Sequence, residues 1–250
     1  MKSLSVLTVD TPGDDSGYHL TEVARHFATL WSAAVTAVGD NEWLVADMEG
    51  NLVVLRRNIG GVTLDDQKRL QVTGELRLGE VVNKIVPIFA PSTTITLTKE
   101  RSRTLSTAAN PLLNEAGTKA TGAAMRTGSI VTPRAFLATV EGAIYMHGTI
   151  NPSFVDAMLR LQSALASKVQ APGYMPWAKF RAFRTEVSDY KEEPFRFVDG
   201  EMVEQGLLAL GDEELKILLR EEGLSGDDAG GLGMSVEEVR AWGEELRRLY

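Results

Sequence analysis

The feature that most constrains the fold of this chain is a change in hydrophobic period at Asn151 and Pro152. Before this point apolar residues alternate with polar ones, which is the period of a β-strand. After it they recur about every 3.6 positions, which is the period of an α-helix. We therefore predict a β unit over residues 1–150 and an α-helical C-terminal domain over residues 151–250.

The β unit is predicted to consist of short strands, each ended by turn residues. They lie at 3–9, 18–27, 32–38, 42–48, 51–58, within 68–89, and in two runs around a turn at Glu141 and Gly142. Sheets of four short antiparallel strands are the blades of a β-propeller, so a propeller is favoured over a sandwich or a closed barrel. At about 40–45 residues per blade, the β unit supplies only three or four blades. Either the strands form another all-β fold, or the chain is the last part of a longer propeller.

Residues 91–128 are rich in Thr, Ser, Ala and Gly. We predict at most a strand at 94–98, followed by a mobile insertion at about 99–128. The basic residues of this segment are too widely spaced to favour an arm that binds nucleic acid over a solvated loop; they are Lys99, Arg101, Arg103, Lys119 and Arg126.

Five helices are predicted in the second half, at 152–169, 177–186, 199–210, 213–222 and from Ser235 onward. Asn151 is the predicted N-cap of the first helix and Asp199 that of the third. Ser235 and Glu238 have the spacing of a capping box.

Composition limits the classes of function. The net charge is −8, and residues 151–250 hold 12 basic against 19 acidic side chains. Strong nucleic-acid binding needs a basic excess, so we expect weak or indirect nucleic-acid contact and a protein partner. No run approaches the roughly 20 apolar residues of a membrane helix, and the first residues alternate as a strand does and not as a signal peptide does. Without cysteine the chain has no disulfide and no thiolate zinc site.

No constellation in the sequence predicts catalysis, a metal site or a cofactor. The three histidines, His19, His26 and His147, have no metal-binding spacing and are expected to be ordinary surface or turn residues. The glycine-rich run at 231–235 has no strand before it, which argues against a phosphate-binding loop. We therefore predict no catalytic residue, and a protein that is not an enzyme.

Two local patterns suit a binding surface. Arg25, His26, Phe27 and Trp31 lie close together at the end of a predicted strand, and an aromatic residue beside an arginine is typical of interface hot spots. The alternative is a Trp31 side chain packed between blades. Asn83 stands between two apolar runs, where either a structural hydrogen bond or a partner contact would explain it.

Several segments resemble, in the same order, the C-terminal part of the damaged-DNA-binding protein 1 family. They are RHFATLWSAAV (25–35), LRLGEVVNKIV (76–86), FLATVEGAIYM (136–146), MLRLQSALASKV (158–169), WAKFRAFRTE (177–186) and RFVDGEMVEQGLL (196–208). This family is related to the large propeller subunits of the cleavage-polyadenylation specificity factor and of splicing factor 3b. The resemblance implies three propellers with a helical tail, of which this chain would hold the end of the last propeller and the tail. The insertion at 99–128 is the main departure.

The resemblance also implies a function, a non-enzymatic scaffold that links a cullin-4 ubiquitin ligase to substrate receptors in DNA damage recognition and repair. Receptors would bind between the first and third propellers, and the cullin would contact a middle propeller that this chain lacks. The implied receptor surface comprises Lys2, Arg25, Trp31, Val81 and Asn83, although the family more often has Arg and an aromatic residue at positions 2 and 81. A nuclear location is implied, with the cytoplasm as a further location. The alternative function is an RNA-processing scaffold.

Overall fold

A computed structural model describes residues 3–10, 17–88, 129–169, 172–186, 191–225 and 233–248. Lys2, the strand predicted at 94–98 and the insertion predicted at 99–128 lie outside the described residues.

The first part of the chain forms three antiparallel sheets in chain order. The first sheet holds β1 (Ser5–Asp10) and β2 (His19–Arg25); the second holds β3 (Ser32–Gly39), β4 (Glu42–Asp47), β5 (Asn51–Arg57) and β6 (Leu70–Arg77); the third holds β7 (Val82–Pro87), β8 (Val131–Thr139) and β9 (Ile144–Ile150). A single helical turn, α1 (Leu64–Gln67), interrupts the strands. The predicted antiparallel strands are confirmed, and the run at 68–89 is divided between two sheets.

The second sheet is buried on both faces because it is stacked between the other two. Val45, Val53 and Leu55 point to one face and pack with Ala24 and Leu30, next to the first sheet. The opposite face packs against the third sheet through Leu44, Ala46, Leu52, Val54, Leu76, Ile85 and Leu137. Short sheets stacked face to face are the arrangement of neighbouring propeller blades. The stacked sheets of the described residues are consistent with such blades, and they do not close into a ring.

The second part of the chain is helical, as the period predicts. It holds α2 (Val155–Ala166), α3 (Trp177–Arg181), α4 (Gly200–Ala209), α5 (Asp212–Glu221) and α6 (Val236–Arg247). One core joins these helices, and in it the rings of Phe154 and Trp242 meet edge to face with centroids 5.4 Å apart. The fold class, β plus α, is thus confirmed.

The predicted helix ends are partly correct. Asp199 caps α4 by accepting a hydrogen bond from the Met202 N–H at 3.2 Å, and Ser235 caps α6 by accepting one from Glu238 N–H at 3.1 Å. The prediction for α2 was wrong at its start, because the Asn151 carboxamide oxygen accepts from the Ser153 N–H, and residues 152–154 form a turn.

The prediction of a helix over 177–186 was also wrong, because α3 ends at Arg181 and Ala182 is extended. The cause is the Asn51 side chain, which is fully buried at the start of β5. Its amide nitrogen donates to the Arg184 carbonyl at 2.6 Å, and its amide oxygen accepts from the Arg184 N–H at 3.2 Å. These two bonds take up backbone groups that a longer helix would use internally.

The segment that follows α3 ties the helices to the second sheet. Phe195 and Glu75 exchange two backbone hydrogen bonds of 2.8 and 2.9 Å, which adds a short bridge at the edge of β6. Lys191 pairs with the buried Glu75 carboxylate. Arg181 donates to Asp199 at 2.7 Å and to the Leu78 carbonyl at 2.8 Å. The residues that carry the family resemblance at 177–199 therefore hold the two parts of the chain together.

Candidate partner-binding surface

Four connections between strands lie along one edge of the second and third sheets. We call this edge the turn edge; it is formed by Trp31, where the β2–β3 connection ends, and by residues 48–50, 78–81 and 140–143. Strand pairing places them there, because Ser32 is opposite Asp47 and Asn51 is opposite Arg77. Backbone hydrogen bonds join the connections, from Met48 N–H to the Trp31 carbonyl (2.9 Å), from Leu78 N–H to the Gly50 carbonyl (2.8 Å) and from Val140 N–H to the Val81 carbonyl (2.9 Å).

Trp31 lies directly before β3 on the turn edge. Its side chain is 58% exposed, while its carbonyl is fixed by the β4–β5 turn. At this exposure the indole is not packed between the described sheets. An exposed indole on a fixed backbone has a large apolar surface to bury and little conformational freedom to lose on binding.

Val81 and Asn83 lie at the start of β7, on the same edge. Val81 is half-buried and Asn83 is exposed. The strand register shifts between Val82 and Lys84, so Asn83 sits at a β-bulge, an irregularity that redirects a side chain. Because Asn83 is exposed, no buried structural hydrogen bond is needed to explain this residue.

Arg25 is not beside Trp31. Its N–H donates to the Lys68 carbonyl at 2.8 Å, close to the point where β6 begins, which is the opposite edge of the second sheet. Its guanidinium group bonds Glu22 at 2.6 Å and the Ser5 hydroxyl at 3.2 Å. The structure thus brings Trp31, Val81 and Asn83 to one edge and Arg25 to the other.

The surroundings of Arg25 include an aromatic side chain and a buried histidine. Phe27 is 65% exposed, and the Arg69 guanidinium lies 5.5 Å from the centre of its ring. His26 is buried, contrary to the prediction of a surface or turn histidine, and burial lowers its pKa. Leu30, four residues later, is also buried, in the cluster next to the first sheet.

Two polar residues that carry no sequence motif hold the β6–β7 connection in place. The Tyr145 hydroxyl of β9 donates to the Glu80 carboxylate at 2.9 Å. Burial, together with the neighbouring Glu80, raises the pKa of Tyr145 to about 12. Carboxylates are common in exposed turns, so the sequence offered no reason to single out Glu80. Gly79, directly before it, was the available signal of a tight turn at this position.

Gly50 is required at its place in the turn edge. Its φ is +80°, and a Cβ at this position would lie 3.1 Å from the Glu80 nitrogen. Only glycine meets both conditions without strain. The β4–β5 turn can therefore approach the β6–β7 connection closely enough for the hydrogen bonds that join them.

Within the described ranges, no cluster of three or more His, Cys, Asp or Glu side chains could hold a metal ion. None of the helices in that part of the chain has the length and apolar character needed to cross a membrane.

Antiparallel sheets stacked face to face, followed by helices that share one core, define a mixed β and α class of protein. Residues 1–207 match the family model described as CPSF A subunit region, and the chain belongs to this family.

Among curated proteins, the chain is 25% identical over 250 residues to DNA damage-binding protein 1 of Schizosaccharomyces pombe. It is 24% identical over 260 residues to DNA damage-binding protein 1 of Oryza sativa subsp. japonica. It is 25% identical over 254 residues to DNA damage-binding protein 1a of Arabidopsis thaliana. Each match covers 100% of this chain and 19% of the relative, so the chain spans about a fifth of their length. The relationship predicted from the sequence is confirmed.

Proposed function

We propose that this chain is the receptor-binding part of a non-enzymatic scaffold that works in DNA damage recognition. In this proposal the turn edge binds substrate receptors of a cullin-4 ubiquitin ligase, in the nucleus. Two observations support the proposal. All 250 residues of the chain match a part of proteins named DNA damage-binding protein 1, and an aromatic residue is exposed on a sheet edge whose backbone is fixed. The exposed Trp31 is the single observation that carries the choice of surface.

The chemistry of the turn edge suits a protein partner. Trp31 supplies apolar area for the centre of an interface, and the Asn83 carboxamide supplies a donor and an acceptor beside it. Val81 adds a smaller apolar contact on the same edge. In the proposal Arg25 acts as a separate rim contact, because it lies at the other edge of the sheet, and Lys2 completes the set.

The other functions of the scaffold are assigned to polypeptide outside this chain. Binding of the cullin is attributed to a different propeller, as the family resemblance implies. DNA itself is proposed to be contacted through the receptors, because the chain carries a net charge of −8.

A scaffold in RNA processing is the second candidate. It is favoured by the description of the matching family model, CPSF A subunit region. The relatives named DNA damage-binding protein 1, which match the chain over its whole length, favour the first candidate.

A chimaeric protein tests the proposal. The chain replaces the matching region of the S. pombe relative, and binding is measured to a substrate receptor that binds the unaltered relative. We expect Trp31→Ala to weaken receptor binding by about 2 kcal/mol or more, roughly 30-fold in Kd, with an unchanged unfolding midpoint.

Ile217→Ala is the matched control, because Ile217 is 56% exposed and lies on α5, outside the turn edge. Its receptor affinity is expected to stay the same. If Trp31→Ala instead binds normally and loses about 3–5 kcal/mol of folding stability, Trp31 is a packing residue and the proposed surface is wrong.

A further inference from the structure

The ionisable side chains of the turn edge are all acidic. They are Glu49, Glu80 and Glu141, and no Lys, Arg or His belongs to this edge. The nearest basic residues along the chain, Arg77 and Lys84, lie within β6 and β7. In the part of the chain that the structure describes, the ion pairs are formed by other carboxylates. The negative charge of the turn edge is therefore not neutralised by ion pairs within the described residues.

Exposed apolar side chains lie directly beside these carboxylates. Met48 precedes Glu49 and is 47% exposed, and Val140 precedes Glu141 and is 67% exposed. Trp31 is next to Met48, because the Met48 N–H donates to the Trp31 carbonyl at 2.9 Å. Apolar area and negative charge thus occur together along one edge whose backbone is fixed.

Glu80 has an acceptor atom that the described chain does not use. One carboxylate oxygen, Oε1, accepts from the Tyr145 hydroxyl at 2.9 Å. The other, Oε2, is closed off from solvent and has no hydrogen-bond partner among the described residues. A buried carboxylate oxygen without a donor is unfavourable. Glu80 as a whole is only half-buried, so a rotation of its carboxylate brings this oxygen towards the surface, where a partner's donor can reach it.

A segment that carries both basic and apolar side chains suits these features. Arginine and lysine offer a positive charge together with hydrogen-bond donors, and neither accepts a hydrogen bond. A neutral apolar segment would cover the carboxylates and leave them without a partner, which is costly. An acidic segment or the phosphates of a nucleic acid would be repelled by the same three carboxylates.

We propose that the turn edge selects a segment of its protein partner in which arginine or lysine residues are interspersed with apolar residues. The apolar side chains of this segment pack on Trp31 and its exposed apolar neighbours. Its basic side chains pair with Glu49 and Glu141 at the surface, and one of them donates to Glu80. This partner chemistry rests on the proposed function, because it describes the receptor segment that is bound at the same edge.

Three labelled peptides and the whole 250-residue chain test the proposed partner chemistry by fluorescence anisotropy. Each peptide has fourteen residues, with leucine at the same positions of an amphipathic helix. The remaining positions hold alanine together with arginine, glutamine or glutamate. We expect the arginine peptide to bind about tenfold more tightly than the glutamine peptide at low salt, with an advantage that shrinks as salt is added. The glutamate peptide should bind more weakly than the glutamine peptide.

Removal of the surface carboxylates should abolish most of this advantage. In the double variant Glu49→Gln, Glu141→Gln, the Kd of the arginine peptide is expected to rise about fivefold or more, and that of the glutamine peptide to stay the same. The matched control is Glu213→Gln, Glu221→Gln, because both residues are exposed on α5 and the net charge changes equally. This control should keep the advantage of the arginine peptide. Should the double variant fail to fold, the exposed Glu141→Gln alone takes its place.

The inference is overturned if the arginine and glutamine peptides bind equally. It is also overturned if the α5 control loses the advantage to the same extent, since the preference would then come from the net charge of −8. Trp31→Ala separates these failures from a failure of the proposed function. Equal binding of the two peptides that Trp31→Ala still weakens would remove the charge preference and leave the proposed surface intact. Binding that Trp31→Ala does not change would place the peptides elsewhere and contradict both.

Discussion

At the scale of single residues, His147 has a different pKa in the folded protein and in the unfolded chain, which makes the stability of the protein depend on pH. It lies in the middle of β9, and its ring centre is 5.9 Å from that of Phe197. Burial, together with the nearby Arg134, lowers the pKa of His147 to about 4. The folded protein therefore keeps this imidazole neutral over a range in which the unfolded chain binds a proton.

We predict that the protein loses stability as the pH falls from 6.5 towards 4. Between these values the unfolded state binds more protons at His147 than the folded state, so stability falls with decreasing pH. The limiting slope for one such group is about 1.4 kcal/mol per pH unit. Urea unfolding at several pH values measures this slope of the unfolding free energy against pH. His147→Phe should show a smaller slope than the wild type, and the exposed His19→Gln should keep the wild-type slope. Equal slopes in all three proteins would contradict the assignment to His147.

For Arg25 and Trp31, closeness in the chain was a poor guide to their positions in the structure. Arg25 and Trp31 are six positions apart, and adjacency in the chain suggested one cluster. The intervening residues cross the second sheet with Leu30 buried against it, so the two side chains reach opposite edges. Burial of this kind depends on a neighbouring sheet, and a strand pattern read from the sequence does not contain that information.

At the scale of elements, α4 depends on one carboxylate. Asp199 caps the helix, accepts from Arg181 at 2.7 Å and accepts from the Trp177 indole N–H at 3.3 Å. The Asp199 N–H in turn donates to the Gln162 side chain of α2 at 2.7 Å. A single residue thus orients α2, α3 and α4.

We predict that Asp199→Ala costs about 3–5 kcal/mol of unfolding free energy, because it leaves the nearly buried Arg181 without its carboxylate partner in addition to removing the cap. Ser235→Ala is the comparison, since Ser235 caps α6 and bonds only Glu238 among the contacts described above. Its expected cost is about 1 kcal/mol. Both are measured by chemical denaturation, and similar losses for the two variants would contradict the multiple role of Asp199.

Elements were predictable where the signal was local. Alternation predicted β3, β4 and β5, and the Asp199 and Ser235 caps predicted the starts of α4 and α6. The end of α3 was not predictable, because it is set by Asn51, which is 133 positions before Arg184 in the chain. Helix propensity at 182–186 is overridden by these tertiary hydrogen bonds.

At the scale of the whole molecule, the three sheets are unequally supported. The second sheet has a neighbour on each face, whereas Leu7, Val9 and Leu20 of the first sheet are exposed. Two-stranded sheets are only marginally stable without packing.

We therefore predict that amides of β1 and β2 exchange faster than those of β4, β5 and α2 in the isolated chain. Hydrogen exchange measured by mass spectrometry resolves these segments. Exposed apolar strands also favour association, so size-exclusion chromatography should show larger species as concentration rises. A monodisperse monomer with equally protected sheets would refute this prediction.

We further predict weak and unspecific DNA binding by the isolated chain, because it has 34 acidic and 26 basic side chains. Fluorescence titration with damaged and undamaged duplexes at physiological salt is the measurement. A submicromolar Kd that rises steeply with salt concentration would contradict a scaffold that reaches DNA through receptors.

The turn edge is joined by main-chain hydrogen bonds, in which N–H groups of neighbouring turns donate to the carbonyls of Trp31, Gly50 and Val81. Such bonds do not depend on which side chain is present, apart from the glycine requirement at position 50. The side chains displayed there can consequently change in evolution while the backbone that presents them keeps its shape. Substitutions at this edge can therefore accumulate one at a time without unfolding the protein.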